Sequence, residues 1–413
     1  MKTYKIFKIA FFIHIGYILV SLLLTLIIFR NQNDFLIYFK AGGLSITNIN
    51  QIYNQINYRW PYRYFPITAL LFAPFYLLGF DIGFSVFLFL NLIIILILIS
   101  LMYNVILNIN FNDHKIEEED ISYYCSLFLI GLPILFNYIL GQINLLVVIF
   151  IFLSLLIFIK HDSLKYNLLA GIILGLSFLV KPITFLIIPF LLIIRYNKTK
   201  GAIIFEFQKS IIRILGVFIP VLLNIVFFLI FPKLLIGFIQ TNLTGTEEYI
   251  MNFSFSITKL VTNFLYIFHI SFNEFLIFLM VVIPLLLIAF YFFILKTNKK
   301  INILYGYILG IIIMLLSYFD SWDHHLLILT PLLIIVILSL PKEKKIRKYL
   351  KWSFYFFTFI DLAFMGLWYL IKDFFPFNFE STIFLCVCFY SILKLLKPHS
   401  VLKLKNLKNT KKV

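Results

Sequence analysis

A chain of 413 residues that is 62% hydrophobic and 13% charged cannot furnish the water-facing surface of a soluble domain. The net charge of +17 lies mostly in short segments between apolar runs, which excludes a nucleic-acid surface and matches basic loops held on the cytoplasmic side. A β-barrel is excluded as well: the apolar runs are long enough for about 30 Å of hydrocarbon, and short alternating segments are missing.

The first apolar run, Ile6 to Phe29, follows Lys2, Lys5 and Lys8. It is too long for a signal-peptide core and lacks a small-residue cleavage site, so it reads as an uncleaved anchor. An outer loop is expected over 30–65, then a short apolar stretch at 66–79 broken by Pro74. Membrane segments follow at 83–107, 122–140, 143–160, 168–181, 183–194 and 211–231. A second outer loop takes 232–272; further segments lie at 274–295, 301–317, 324–340, 352–371 and 380–396, before a basic cytoplasmic tail at 397–413. The tail is expected to meet anionic headgroups of membrane lipids, with no nucleic-acid partner. The expected fold class is an all-α polytopic membrane protein of the cell membrane, one domain over 1–413. It has about 12 transmembrane helices and two outer loops bearing short amphipathic helices. Cys125, Cys386 and Cys388 all lie inside apolar runs and read as core thiols, with neither a disulfide nor a metal.

Topology turns on 66–79. A full crossing there would place the Gly141-Gln142 turn inside the cell; a dip into the outer leaflet would place it outside. The dip puts Lys160, Lys165 and the acidic loop Asp113 to Asp120 in the cytoplasm, and the lysines favour it. It also gathers Asp34, Arg59, Arg63, Gln142, Asn144, Lys181, Asp320, Asp323, His324 and His325 at the outer face. Polar groups are costly beside hydrocarbon, so their gathering points to one site.

Each candidate has a plain reading beside the chemical one. Asp34, partly shielded by Phe35 and Tyr38, suits a general base acting on a hydroxyl, or a helix cap. Arg59 and Arg63, set among aromatics from Tyr58 to Pro66, suit bidentate binding of a phosphate, or anchoring at the membrane interface. Lys181-Pro182 interrupts the uncharged stretch from Leu168 to Ile194; its ammonium either meets a buried anion or snorkels from a helix end. Ser317 to His325 closes an outer loop. Adjacent histidines on a helix diverge by about 100°, so a phosphate-contacting imidazolium is expected there and a shared metal is not. His14 and His269 stand alone and read as structural.

Five elements then follow one another in a recognisable order. They are Asp34-Phe35…Tyr38 with Ile52-Tyr53; Tyr64-Phe65-Pro66 through Leu70-Leu71 to Pro74; Gly141-Gln142-Ile143-Asn144; Gly171…Gly175…Lys181-Pro182; and Asn252-Phe253-Ser254 with Ser321-Trp322-Asp323-His324-His325. Together they resemble the polyprenyl-phosphate-mannose-dependent mannosyltransferases of glycosyltransferase family 87, within the GT-C superfamily, although Phe65 stands where the family has a proline. The resemblance implies a GT-C-type fold and an inverting sugar transfer at the extracytoplasmic face, without metal or cofactor. The donor would be a polyprenyl-phosphate sugar, mannose first among them, and the acceptor a lipid-linked or glycan hydroxyl. Asp34 would be the general base. Lys181 with His324 or His325, assisted by Arg63 and Arg59, would hold the donor phosphate. Tyr38, Tyr64, Gln142, Asn144, Trp322 and Asp323 would line the substrates. The competing readings are a transporter or flippase of lipid-linked saccharides, which would place its charges at the midplane between repeated halves, and an oligosaccharide polymerase or ligase.

Overall fold

A computed structural model describes residues 2–109, 116–197, 202–243, 254–295, 299–371 and 379–397. Asp113, Lys198, Lys200, Lys296, Asn252, Phe253 and the tail from 398 onward lie outside the described residues. Among the described residues, six helical stretches are long and apolar enough to cross a bilayer: Lys5–Ile27, Phe80–Asn108, Glu118–Ile139, Phe207–Ile230, Glu274–Leu295 and Lys345–Ile371. Shorter apolar helices fill the space between them, so the chain is a helical polytopic membrane protein.

The outer shell is built from α1 (Lys2–Ile27), α4 (Phe80–Asn108), α9 (Phe207–Ile230) and α12 (Glu274–Leu295), which turn side chains such as Phe12, Ile82, Leu229 and Leu287 outward. In hydrocarbon this costs nothing, because lipid tails are as apolar as leucine. At the centre lie α13 (Lys299–Ser317) and α14 (Leu326–Ser339); every residue of α14 is buried. With no hydrophobic drive to pack helices inside lipid, close approach depends on small residues. α8 (Leu164–Val180) crosses α9 at such a point. A Cβ on Gly171 would lie 2.4 Å from Arg213 O, one on Gly175 2.3 Å from Val217 O, and one on Gly216 2.5 Å from Leu168 O.

The stretch 30–65 is partly helical. α2 (Asp34–Thr47) packs against α3 (Pro66–Leu77), and Gly42 admits the Phe72 backbone, whose carbonyl carbon would be 2.5 Å from a Cβ there. Twelve residues at 1.5 Å each give α3 a length of about 18 Å, well short of the hydrocarbon thickness. Phe35 ties the pair to α4 through edge contacts with Phe72, Phe75, Phe80 and Phe84 at 5.2 to 6.4 Å. The stretch 232–272 carries two short helices, α10 (Pro232–Leu243) and α11 (Ile257–Ile267).

Three segments depart from the sequence reading. The stretch 183–194 is not an α-helix: Pro182 and Pro189 remove backbone donors, and Pro182–Leu191 winds as a 3₁₀ helix. It leads into a short two-stranded antiparallel hairpin, β1 (Ile194–Asn197) and β2 (Ala202–Phe205), within an otherwise helical fold. The segment 122–140 is two helices, α5 (Glu118–Leu129) and α6 (Leu132–Ile139), with the break at Gly131, and 352–371 passes through a π-helical turn at Phe356–Ile360 between α15 (Lys345–Tyr355) and α16 (Asp361–Ile371).

Helix direction separates two ends. α7 (Asn144–Lys160) runs away from the Gly141 turn, α8 returns to Lys181, and α14 runs from His325 to Ser339. At the far end Lys342 pairs with Glu117 (3.2 Å) and Asp120 (3.6 Å), Arg347 reaches Asp120 (3.5 Å), and Lys209 meets Asp162 (2.7 Å). The acidic residues around the start of α5 thus share an end with the basic residues around the start of α15.

Two outcomes follow. In a chain whose three cysteines are replaced by alanine, Ile56→Cys and Lys165→Cys should react with an impermeant thiol reagent from opposite sides of the membrane; labelling from one side would contradict the helix directions. Gly175→Val should destabilise the α8–α9 crossing by about 1–3 kcal/mol in detergent unfolding, because the backbone there has to move apart.

Candidate functional site

The site begins with the way α2 starts. Asn33, not Asp34, is the cap: its side chain accepts from Leu36 N at 2.9 Å. The Asp34 carboxylate is therefore not consumed in capping. The Asp34 and Phe35 backbone N–H groups both donate to Leu140 O, at 2.9 and 3.2 Å, which seats the helix start on the turn between α6 and α7. Gly141 makes that turn at φ +65, and a Cβ there would lie 2.5 Å from Phe35 Cβ. Only glycine meets both demands without strain. Asn137 closes the turn: its carbonyl accepts from Gln142 N (2.8 Å) and its amide donates to Gln142 O (3.1 Å).

The turn delivers Gln142 between two charges. Its Nε2 donates to Asp34 Oδ2, while its Oε1 accepts from Lys181 Nζ (3.2 Å) and from Tyr38 OH (3.2 Å). With the Tyr38 hydroxyl proton directed there, Tyr64 OH donates to Tyr38 at 2.6 Å. Lys181 ends α8, where a cation also suits the helix C-terminus, and Pro182 prevents the helix from continuing. Its buried ammonium donates a second bond, 2.7 Å, to Asn144 Oδ1. Asn144 Nδ2 in turn donates to His324 O at 3.0 Å, which pins the late loop to α7.

In that loop His324 and His325 are buried with their rings edge to face, centroids 4.2 Å apart, and both lie within electrostatic range of Lys181. His325 Nδ1 accepts from Trp322 N at 3.2 Å, so Nε2 carries the ring proton and is a donor. The Trp322 ring lies 6.5 Å from that of His324 and nearly parallel to it. Burial pushes the Asp34 carboxyl above the ordinary carboxylate range; the Gln142 N–H and the charge of Lys181 oppose the shift.

The other candidates lie elsewhere. Arg63 pairs with Asp320, reaches Tyr318 OH at 3.4 Å and lies over the Phe319 ring at 5.6 Å, so it joins the stretch 30–65 to the late loop. Arg59 is exposed over Trp60 at 5.6 Å. Asp323 is buried beside Asp361. His14 spans Leu129 O and Tyr138 OH, at 3.0 and 2.8 Å. The sequence reading passed over Asp361, though a lone acid inside the apolar run 352–371 was the signal available. It also passed over Lys259, buried on α11 at 4.0 Å from Glu274. Ser254, the described part of the second-loop element, accepts from Ser321 N at 3.2 Å and so brings the two loops together.

An acid and an ammonium held on one amide, buried among the helices of a membrane bundle, define a membrane protein with a built polar site. The family model of glycosyltransferase family 87 matches residues 62–317, more than half of the chain, and the chain belongs to that family. It is a membrane glycosyltransferase. No curated protein and no solved structure matches it. The matched span holds Arg63, Tyr64, Gln142, Asn144 and Lys181; Asp34 and His324 lie beyond its two ends and join it through the contacts above.

Lys181→Met removes the cation that lowers the proton affinity of Asp34. The Asp34 titration, followed by infrared difference spectroscopy of its carboxylate band, should move to higher pH; an unmoved titration would mean that the two charges are not coupled.

Proposed function

We propose that this glycosyltransferase moves a hexose, with mannose the sugar its motifs favour, from a polyprenyl-phosphate donor to a hydroxyl of a lipid-linked or glycan acceptor. The reading includes a GT-C-type fold acting as one domain, a single inverting displacement, and no metal or cofactor. The observation that carries it is the Gln142 bridge: one amide orients the Asp34 carboxylate on one side and the Lys181 ammonium on the other.

The chemistry needs both. The acceptor oxygen attacks the anomeric carbon from the face opposite the phosphate, and its proton passes to Asp34. The bond from that carbon to the phosphate oxygen breaks, and the leaving phosphate gains negative charge. Lys181 and the His325 Nε2–H are preorganised donors for that charge, which lowers the barrier where it develops. Inversion follows from a single displacement. The raised proton affinity of Asp34 helps, since a stronger base takes the hydroxyl proton more readily. A lipid-borne donor fits a chain whose site opens among membrane helices. The site lies at the end opposite the basic loops, and basic loops stay in the cytoplasm, so the reading places the chemistry at the extracytoplasmic face.

Asp34→Asn keeps the shape and cannot accept the proton. Turnover should fall about a hundred- to ten-thousand-fold while donor binding survives. A purified, folded Asp34→Asn enzyme working at the parental rate would remove Asp34 as the base. In the parent enzyme the base works only when ionised, and its pKa is raised. kcat/KM should therefore fall on the acid side, with a midpoint above the ordinary aspartate value of about 3.9.

A further inference from the structure

Asp323 opens the 3₁₀ turn that carries the two histidines, and Asp361 opens α16 directly after the π-helical turn. Both are buried, and their side chains lie close enough to act on each other. The Ser381 hydroxyl, from α17 (Glu380–Leu396), donates to Asp361 Oδ1. Counted as two anions, the pair leaves Asp323 Oδ1 and Asp361 Oδ2 buried with no hydrogen-bond donor. Two adjacent buried carboxylates with no cation between them are strongly unfavourable; a single retained proton removes the repulsion and serves both oxygens. Among the described residues, the other groups acting on the pair bring no positive charge: Glu380 adds a further negative charge beside Asp361, and Tyr369 a phenol near Asp323.

We propose that Asp361 is a positioning residue that holds the histidine-bearing loop through one proton shared with Asp323. The loop is thereby fastened from two directions. Asn144 holds the His324 carbonyl from α7, and Asp361 holds the preceding side chain from α16. The effect on catalysis rests on the transferase reading above: the fastening keeps the His325 Nε2–H aimed at the phosphate without touching it. Residue 361 lies outside the span matched by the family model.

Infrared spectroscopy of the purified parent at neutral pH should show the carbonyl band of a protonated carboxyl, and Asp361→Asn should abolish it. Ser381→Ala should shift the band by removing a donor to the same group, which serves if the first variant does not fold. The shared proton is overturned if the parent lacks the band or if neither substitution affects it. In turnover, Asp361→Asn should work near the parental rate, because its amide N–H replaces the shared proton. Asp361→Leu should lose about ten- to a hundredfold, mainly in kcat, as expected when a leaving-group donor is misplaced. Folded Asp361→Leu as active as Asp361→Asn would overturn the positioning role. The infrared result is independent of the reaction, so a failure of the transferase reading, seen as an unimpaired Asp34→Asn, is distinguishable from a failure of the carboxyl pair.

Discussion

The arrangement of the site depends on one side-chain amide. Gln142 has a donor end and an acceptor end, and the turn at Gly141 points the donor at Asp34 and the acceptor at Lys181. A carboxylate and an ammonium in direct contact would neutralise each other and leave neither available. Separated by an amide, each is oriented and partly compensated while keeping capacity for another partner: the ammonium has three donors, of which Gln142 and Asn144 take two. The backbone bonds from α2 to Leu140 and the glycine packing that aligns α8 serve this separation, because a shift of either helix would move one charge relative to the other.

The membrane supplies the energetic background. Away from water an incompletely paired polar group is costly, so a polar network at the edge of the bilayer is rigid or is not stable. Here it continues from Tyr64 through Tyr38, Gln142, Lys181 and Asn144 to the backbone of His324. The stretch 30–65, the start of α7, the end of α8 and the histidine loop thus meet through direct hydrogen bonds.

Much of this was legible in the sequence, for a physical reason. Asp34, Gln142, Asn144, Lys181 and the two histidines stand out because an apolar chain has few reasons to carry such residues. Helix directions read from the lysines were enough to bring them to one end. What could not be read was pairing. Arg63 and Arg59 have the same local surroundings, yet one is bound to Asp320 across the loops and the other lies over Trp60 in solvent. Asp323 looked like a substrate residue because its neighbours did, whereas its side chain turns to Asp361, thirty-eight positions on. The 3₁₀ path after Pro182 and the hairpin behind it escaped a reading based on hydropathy, which registers apolar length and not winding. The glycines at 171 and 175 were visible as a spacing, but the partner glycine at 216 was not.

α14 and α1 are both apolar helices, yet they answer to different solvents. Around α1 much of the solvent is lipid, a fluid that reshapes itself to any apolar side chain. Around α14 it is the rest of the protein, packed to near-crystalline density, with all fourteen positions enclosed. Drift among leucine, isoleucine and phenylalanine is therefore nearly free along the outward stripe of α1 and closed along α14. Each change of volume in α14 displaces a neighbour, and its first turn adjoins the histidine loop. In this chain, evolutionary freedom is set by which medium a helix touches.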